Sequence, residues 1–237
     1  MSLEVLQKKI QINNARQELI NKAASAVDSP LGSFLRKFGF VSGVKIGDIS
    51  KSWDVLLTLK FIEKNIAKDK PVLDIGCYAS ELIISLYNIG FLRLSGIDLN
   101  QNLHRMPHQN VIRYEVGDYM YTAFKDASFS VITAISVIEH GFQPQKLLGE
   151  ISRLLERGGY FIASFDYWPD KIDTTGLGFF GMDWMIFSKE DVEHFISEAA
   201  RYSLLPVGEI KFSADQKVIS WCGRQYTFAW LVLEKKA

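Results

Sequence analysis

Cysteine is almost missing from this chain. Only Cys77 and Cys222 occur in 237 residues, far apart in sequence, so no disulfide framework holds the fold and free thiols fit a cytoplasmic protein. Surplus charge is missing too: 27 Lys and Arg balance 27 Asp and Glu. A chain without a basic excess is a poor partner for nucleic acid or an anionic membrane surface. No apolar run approaches the ~20 residues of a membrane-spanning helix. The N-terminal Met-Ser-Leu-Glu-Val-Leu-Gln-Lys-Lys has no signal-peptide core. Histidine is scarce, so imidazole chemistry rests on His104, His108, His140 or His194. Internal repeats and low-complexity tracts are absent.

What is present is apolar and alternating. The 48% hydrophobic content is ample for one domain's core with additions. The organising stretch is Pro71-Val72-Leu73-Asp74-Ile75-Gly76-Cys77-Tyr78-Ala79-Ser80-Glu81. Residues 70–75 read as a buried parallel strand, Gly76 as a tight turn, and 80–89 as a helix. Strand, turn and helix in that order open a nucleotide site in an open α/β sheet. Strand 92–98 follows and ends on Asp98, about twenty residues on, where a carboxylate suits a ribose diol.

The remaining chain continues the pattern. Residues 3–27 have helical spacing, with a stop at Asp28-Ser29-Pro30. Residues 31–50 carry Phe34, Leu35, Phe38, Phe40 and Val41 among Gly32, Gly39, Gly43 and Gly47, a segment suited to capping a site or joining a dimer interface. Ser52 is placed to cap the helix Trp53–Asn65. Strands are expected at 111–116, 129–135, 160–166, 204–211 and 226–234, the last two antiparallel. Helix 144–156 starts at Pro144 and is closed by Gly158-Gly159. Helix 189–202 opens with Ser188 and Asp191 in capping-box spacing. A loop of about twenty residues, 167–187, breaks the alternation, and loops this long are often functional.

Val72-Leu73-Asp74-Ile75-Gly76-Cys77, Gly96-Ile97-Asp98, Val116-Gly117-Asp118, Ser136-Val137-Ile138-Glu139-His140 and Gly158-Gly159-Tyr160-Phe161 stand in this order. Together the chain resembles the class I S-adenosylmethionine-dependent methyltransferases over about residues 53–235. The resemblance implies an α/β, Rossmann-like, doubly wound, seven-stranded sheet, mostly parallel with an antiparallel last strand. Residues 1–50 would be a helical extension or cap and 51–237 the methyltransferase domain. It implies S-adenosylmethionine as cofactor, S-adenosylhomocysteine as product, and these cofactor-binding residues: Asp74 and Gly76 beside the methionine end, Asp98 on the ribose, Leu99 on the adenine or ribose edge, Asp118 on the adenine amino group with Tyr119 beside it, and Ser136 near the sulfonium.

The loop departs from the family's Asp-x-Gly-x-Gly-x-Gly. Tyr78 and Ser80 replace the second and third glycines. A pyrophosphate needs those glycines for close backbone approach, which disfavours NAD; S-adenosylmethionine carries no phosphate. Ser80 is left to cap the next helix and bond the cofactor's carboxylate, while Tyr78 either covers the methionine moiety or fills the pocket. The latter outcome would leave a non-catalytic nucleoside- or partner-binding module.

Glu139-His140 carries the clearest chemistry. Relatives with Glu-x-x-Glu-His hold a divalent cation there, but Ser136 takes the first acid's place, so no metal is expected. His140 is either a general base or a residue orienting the loop. The acceptor is expected to be a small molecule methylated on oxygen or nitrogen, with a sugar or a specialised metabolite among the readings. The loop 167–187, the turn 215–225 and the N-terminal cap would enclose it. Trp168, Phe179, Phe180 and Trp184 would form either a wall or a small aromatic core. Neither nucleic acid nor membrane is expected as partner, and a homodimer through the N-terminal extension is.

Overall fold

A computed structural model describes residues 1–28, 34, 38, 40 and 43–236. In chain order the elements are β1 (Leu3–Val5), α1 (Lys9–Asn21), α2 (Ser52–Asn65), β2 (Pro71–Ile75), α3 (Glu81–Asn88), β3 (Arg93–Asp98), β4 (Arg113–Val116) and β5 (Phe129–Ile135). These are followed by α4 (Pro144–Leu154), β6 (Leu155–Tyr167), β7 (Gly178–Phe179), β8 (Met182–Asp183), α5 (Lys189–Ala200), β9 (Leu204–Pro206), β10 (Ile219–Trp221) and β11 (Arg224–Lys235). The main sheet runs β1-β11-β6-β5-β2-β3-β4, with β9 and β10 also paired to β11. The five strands β6 to β4 are mutually parallel. β11 enters antiparallel against β6.

Period-two alternation explains why the sheet is covered on both faces. Val72, Val131 and Ile162 join one buried cluster with Leu59 and Ile62 of α2 and Leu82 and Leu86 of α3. Their neighbours Leu73, Ile132 and Phe161 join the other, with Leu147, Leu148 and Ile151 of α4 and Phe195 of α5. Between β2 and β5 the chain order changes direction, β3 and β4 lying to one side and β6 to the other. The crevice at the carboxyl ends of such a pair is where open α/β sheets take ligands.

All seven expected strands are present, and β1 and β10 join them in the sheet. Residues 3–5 form a strand where helix is expected. Leu3 and Val5 are buried while Glu4 between them is half-buried, and their backbone pairs with Ala229–Leu231 of β11. Helix α1 runs through Asn13-Asn14 and ends at Asn21. Ser52 does not cap α2; its hydroxyl donates to the Ile49 carbonyl at 2.5 Å. α4 ends at Leu154 and Leu155 opens β6 directly, so Gly158-Gly159 lies within the strand. The expected strand 204–211 shortens to Leu204–Pro206. The capping box at Ser188 and Asp191 is formed. Ser29-Pro30, Leu35, Val41, Gly32 and Gly39 lie outside the described residues. Among the described residues, no helix is long and apolar enough to cross a membrane.

Candidate active site

The loop after β2 is held from behind by β3. Gly76 N and Cys77 N both donate to the Ile97 carbonyl, at 2.9 and 3.3 Å. Gly76 has φ +66°, and a Cβ there would collide with Val137, so this position needs glycine. The next positive φ falls on Ala79, at +62°. Tyr78 therefore takes the second family glycine's place without a left-handed backbone of its own. The Asp98 carboxylate ties the two strand ends together: Tyr78 N donates to Oδ2 at 2.9 Å and Asn100 N to Oδ1 at 2.8 Å.

This frame opens onto a cavity of about 640 Å³, within the ~300–1,000 Å³ of small-molecule sites. Gly76, Tyr78, Ser80, Asp98, Leu99, Tyr119, Ser136 and His140 all line it. Tyr78 stands in the wall and leaves the cavity open. Asp74 and Asp118 do not line it. Asp74 is buried between strands and accepts from Thr133 Oγ1 at 2.6 Å. Burial raises its carboxyl to about 6, with the Thr133 hydrogen bond opposing. Asp118 is exposed and accepts from Met120 N at 2.8 Å, closing its own turn. Ser80 precedes α3, but its hydroxyl makes no cap hydrogen bond.

The sequence reading expected the N-terminal cap at the site but named none of Gly47, Asp48, Lys51 and Val55 as site residues; all four line the cavity. Gly47 N donates to the Ala79 carbonyl at 2.8 Å, which fastens this segment to the ligand loop. Glu81, at the first position of α3, is 3% exposed. Arg16 of α1 grips it with two hydrogen bonds of 2.6 Å, and Ala26 N adds a third at 3.0 Å. An acid opening an apolar helix was the available signal for Glu81; a partner 65 residues away left none for Arg16.

Opposite Asp98 the wall is titratable. His140 packs edge-to-face against the rings of Phe179 and Phe180, with centroids at 6.1 and 5.6 Å. Burial lowers its pKa below the ordinary 6.5, with Asp166 opposing and Lys51 adding to the shift. Glu139 is 1% exposed. Burial, and after it Asp166, raise its carboxyl to about 8, against the pull of Lys51. Asp54 behind them reaches about 6, raised by burial and held back by Lys51. Asp166, at the end of β6, accepts from the Trp184 indole at 2.9 Å and faces Lys51 Nζ at 3.7 Å. Ser136 holds φ +53°. Its Oγ, Glu139 Oε2 and His140 Nδ1 are all buried without a hydrogen-bond partner. Such atoms cost ~1–3 kcal/mol each unless something binds them. Among the described residues no group of three or more His, Cys, Asp or Glu is arranged for a metal.

The aromatic loop divides between the two roles expected of it. Trp184 is 3% exposed and belongs to the core, whereas Phe180, 86% exposed, lines the cavity. Phe179 packs on Trp184 at 5.4 Å, and Trp168 lies under the Lys217 ammonium at 4.9 Å.

The donor set fits a phosphate-free adenosyl group. It offers one carboxylate at the end of β3, the apolar faces of Leu99 and Tyr119, and no glycine pair for a pyrophosphate. Residues 73–163 match the methyltransferase domain family. A ubiquinone biosynthesis O-methyltransferase of Coxiella burnetii is 31% identical over 108 residues, which cover 43% of this chain and 46% of that protein. The chain thus matches less than half of that relative's length. Among solved structures, the 1,6-didemethyltoxoflavin-N1-methyltransferase of Burkholderia thailandensis, with bound 1,6-didemethyltoxoflavin and S-adenosylhomocysteine, matches with a TM-score of 0.58 and 14% identity, covering 78% of this chain and 79% of that one. The geranyl diphosphate C-methyltransferase of Streptomyces coelicolor matches with a TM-score of 0.55 and 12% identity, over 87% and 99% of the two chains. At these identities the structural likeness speaks to fold alone. The ordered motifs, the match of residues 73–163 to a methyltransferase domain and the doubly wound sheet together support a class I S-adenosylmethionine-dependent methyltransferase.

Proposed function

We propose that this chain transfers the methyl group of S-adenosylmethionine to an oxygen or nitrogen of a small-molecule acceptor. The observation that carries this reading is one continuous cavity with Asp98 in one wall and Lys51, Ser136 and His140 in another. The cofactor, when bound, supplies a methyl already activated on a sulfonium. The protein's task is alignment, exclusion of water and handling of one proton. Asp98 accepts from the ribose hydroxyls on the lone pairs that Tyr78 N and Asn100 N leave free. Leu99 and Tyr119 flank the adenosine, and Gly76, Tyr78 and Ser80 border the methionine end. Asp74 and Asp118 act from behind the wall, Asp74 by tying β2 to β5 through Thr133 and Asp118 by fixing the turn that presents Tyr119. His140 takes the acceptor's proton; its lowered pKa favours the neutral imidazole that this requires.

The three similar proteins act on different acceptors, so the name of the acceptor does not carry over. A cavity of about 640 Å³ with Phe180 and Met182 in its wall suits a small molecule. A homodimer through the N-terminal extension is part of the proposal, supported by exposed Phe34, Phe38 and Phe40. The experiment is transfer of labelled methyl from S-adenosylmethionine to a panel of phenols, amines and sugars. Label in none of them, with S-adenosylhomocysteine nevertheless bound, would favour the non-catalytic nucleoside-binding alternative.

A further inference from the structure

Lys51 is the one cation among the described residues of the cavity wall, and its surroundings are unusual. It closes a short 3-10 turn, Ile49–Lys51, directly before α2. Its Nζ sits over the Phe228 ring, 3.3 Å from the centroid. Its ion pair with Asp166 Oδ1 spans 3.7 Å, too long for a hydrogen bond. The ammonium makes no hydrogen bond to any described residue, so its donors are available. Asp54, Glu139 and Asp166 face it, none of them is in the cavity wall, and each is at most 5% exposed. His140 is the other titratable group that senses it. The acids therefore lie outside the cavity wall, and Lys51, the cation they face, belongs to it. Ser136 Oγ and His140 Nδ1, both unpartnered, belong to the same wall.

We propose that Lys51 is a catalytic residue that binds the acceptor's oxygen, and that the acceptor is a weakly acidic hydroxyl compound, a phenol or enol. The proposal rests on the methyl-transfer reading and narrows it. Lys51 donates a hydrogen bond to the hydroxyl oxygen and stabilises the negative charge that grows there as its proton moves to the His140 imidazole. The oxygen's electron pair forms the new bond to the methyl carbon. The carbon–sulfur bond breaks with its pair going to sulfur, and His140 passes its proton to solvent. Burial on Phe228 and the acids that face it keep the ammonium in place; a lysine free in solvent would be a weaker, wandering charge. An amine acceptor offers no such use for Lys51, since a neutral amine gains positive charge as it attacks and the ammonium would oppose it.

The test uses 4-nitrophenol, whose absorbance reports its own ionisation, titrated into the complex with S-adenosylhomocysteine. The bound dye is expected to ionise at least about one pH unit below the free dye, a roughly tenfold preference for the phenolate. Lys51→Met should abolish that shift and leave S-adenosylhomocysteine affinity nearly unchanged. Lys51→Arg, which keeps the charge beside Asp166, should retain most of it and guards against a folding defect. Three results would each overturn the proposal: no saturable dye binding, dye bound without a shift, or a shift that survives Lys51→Met. Should S-adenosylhomocysteine itself fail to bind, the methyl-transfer reading is the one that fails, and the dye titration on the free protein still decides the role of Lys51.

Discussion

The two ends of the cavity are built differently. The Asp98 end comes from neighbouring strand ends, and its key acid is already satisfied by Tyr78 N and Asn100 N. Its geometry is set before any ligand arrives, as tight and repeatable binding of one cofactor requires. The Lys51–His140 end draws on the turn before α2, the loop after β5, the end of β6 and the aromatic loop. It leaves Asp54 Oδ1, Ser136 Oγ, Glu139 Oε2 and His140 Nδ1 buried without partners, and burial raises its acids Asp54 and Glu139; behind the Asp98 end, Asp74 shows both features too. We read that concentration of unsatisfied polar atoms and raised acids as the end where chemistry is done. On the proposed function, the difference separates a binding half from a reacting half within one cavity.

Substitutions in the two halves should therefore fail in different ways. The largest effect is expected from His140→Ala, a loss of ~10²–10⁴ in turnover, the range of general base catalysis, read as S-adenosylhomocysteine released with a phenolic acceptor. Cofactor affinity should hold. Because burial lowers its pKa, the acidic limb of the wild-type rate profile should lie below the ordinary imidazole value. Asp98→Ala should do the reverse and weaken S-adenosylhomocysteine binding about a hundredfold in calorimetry, as losing charged hydrogen bonds of ~1.5–3 kcal/mol implies. If both variants lose affinity equally, the two halves are not separate.

Glu139→Gln gives the smallest effect and sharpens the contrast through stability. Burial raises the Glu139 carboxyl from 4.5 to about 8, with Asp166 adding to the shift. Between those values the folded chain holds a proton that the unfolded chain has lost. This contribution to stability is therefore full below 4.5 and drains away as pH climbs through about 8. Glutamine stays neutral and has no such dependence. Between acidic and alkaline buffer the variant's melting temperature should fall less than the wild type's, by about 3 °C or more, what ~1 kcal/mol gives at this size. Parallel curves would place Glu139 outside the reacting half.

Much of the binding half was legible in the sequence because it is local. A buried strand, Gly76 and Asp98 are read from spacing alone, and the strand ends bring them together without help from distant chain. The reacting half was only partly legible. Glu139-His140 stood out as a pair, but Lys51 precedes the resembling motifs, and its ammonium rests on Phe228, 177 residues further along the chain. The buried grip of Arg16 on Glu81 joins residues with no periodic signal between them. Residues 3–5 misled for a similar reason: Leu3, Leu6 and Ile10 have helical spacing, yet the open edge of β11 claims the backbone. Tertiary pairing overrode a local pattern there.

The most direct test is a calorimetric titration of S-adenosylhomocysteine into the wild-type protein, repeated with NAD. A cavity formed as described predicts saturable binding of S-adenosylhomocysteine at one site, displaceable by adenosine, and no heat from NAD. Silence with S-adenosylhomocysteine, or saturable binding of NAD in its place, would contradict the assignment of the Tyr78–Asp98 end to a phosphate-free adenosyl group.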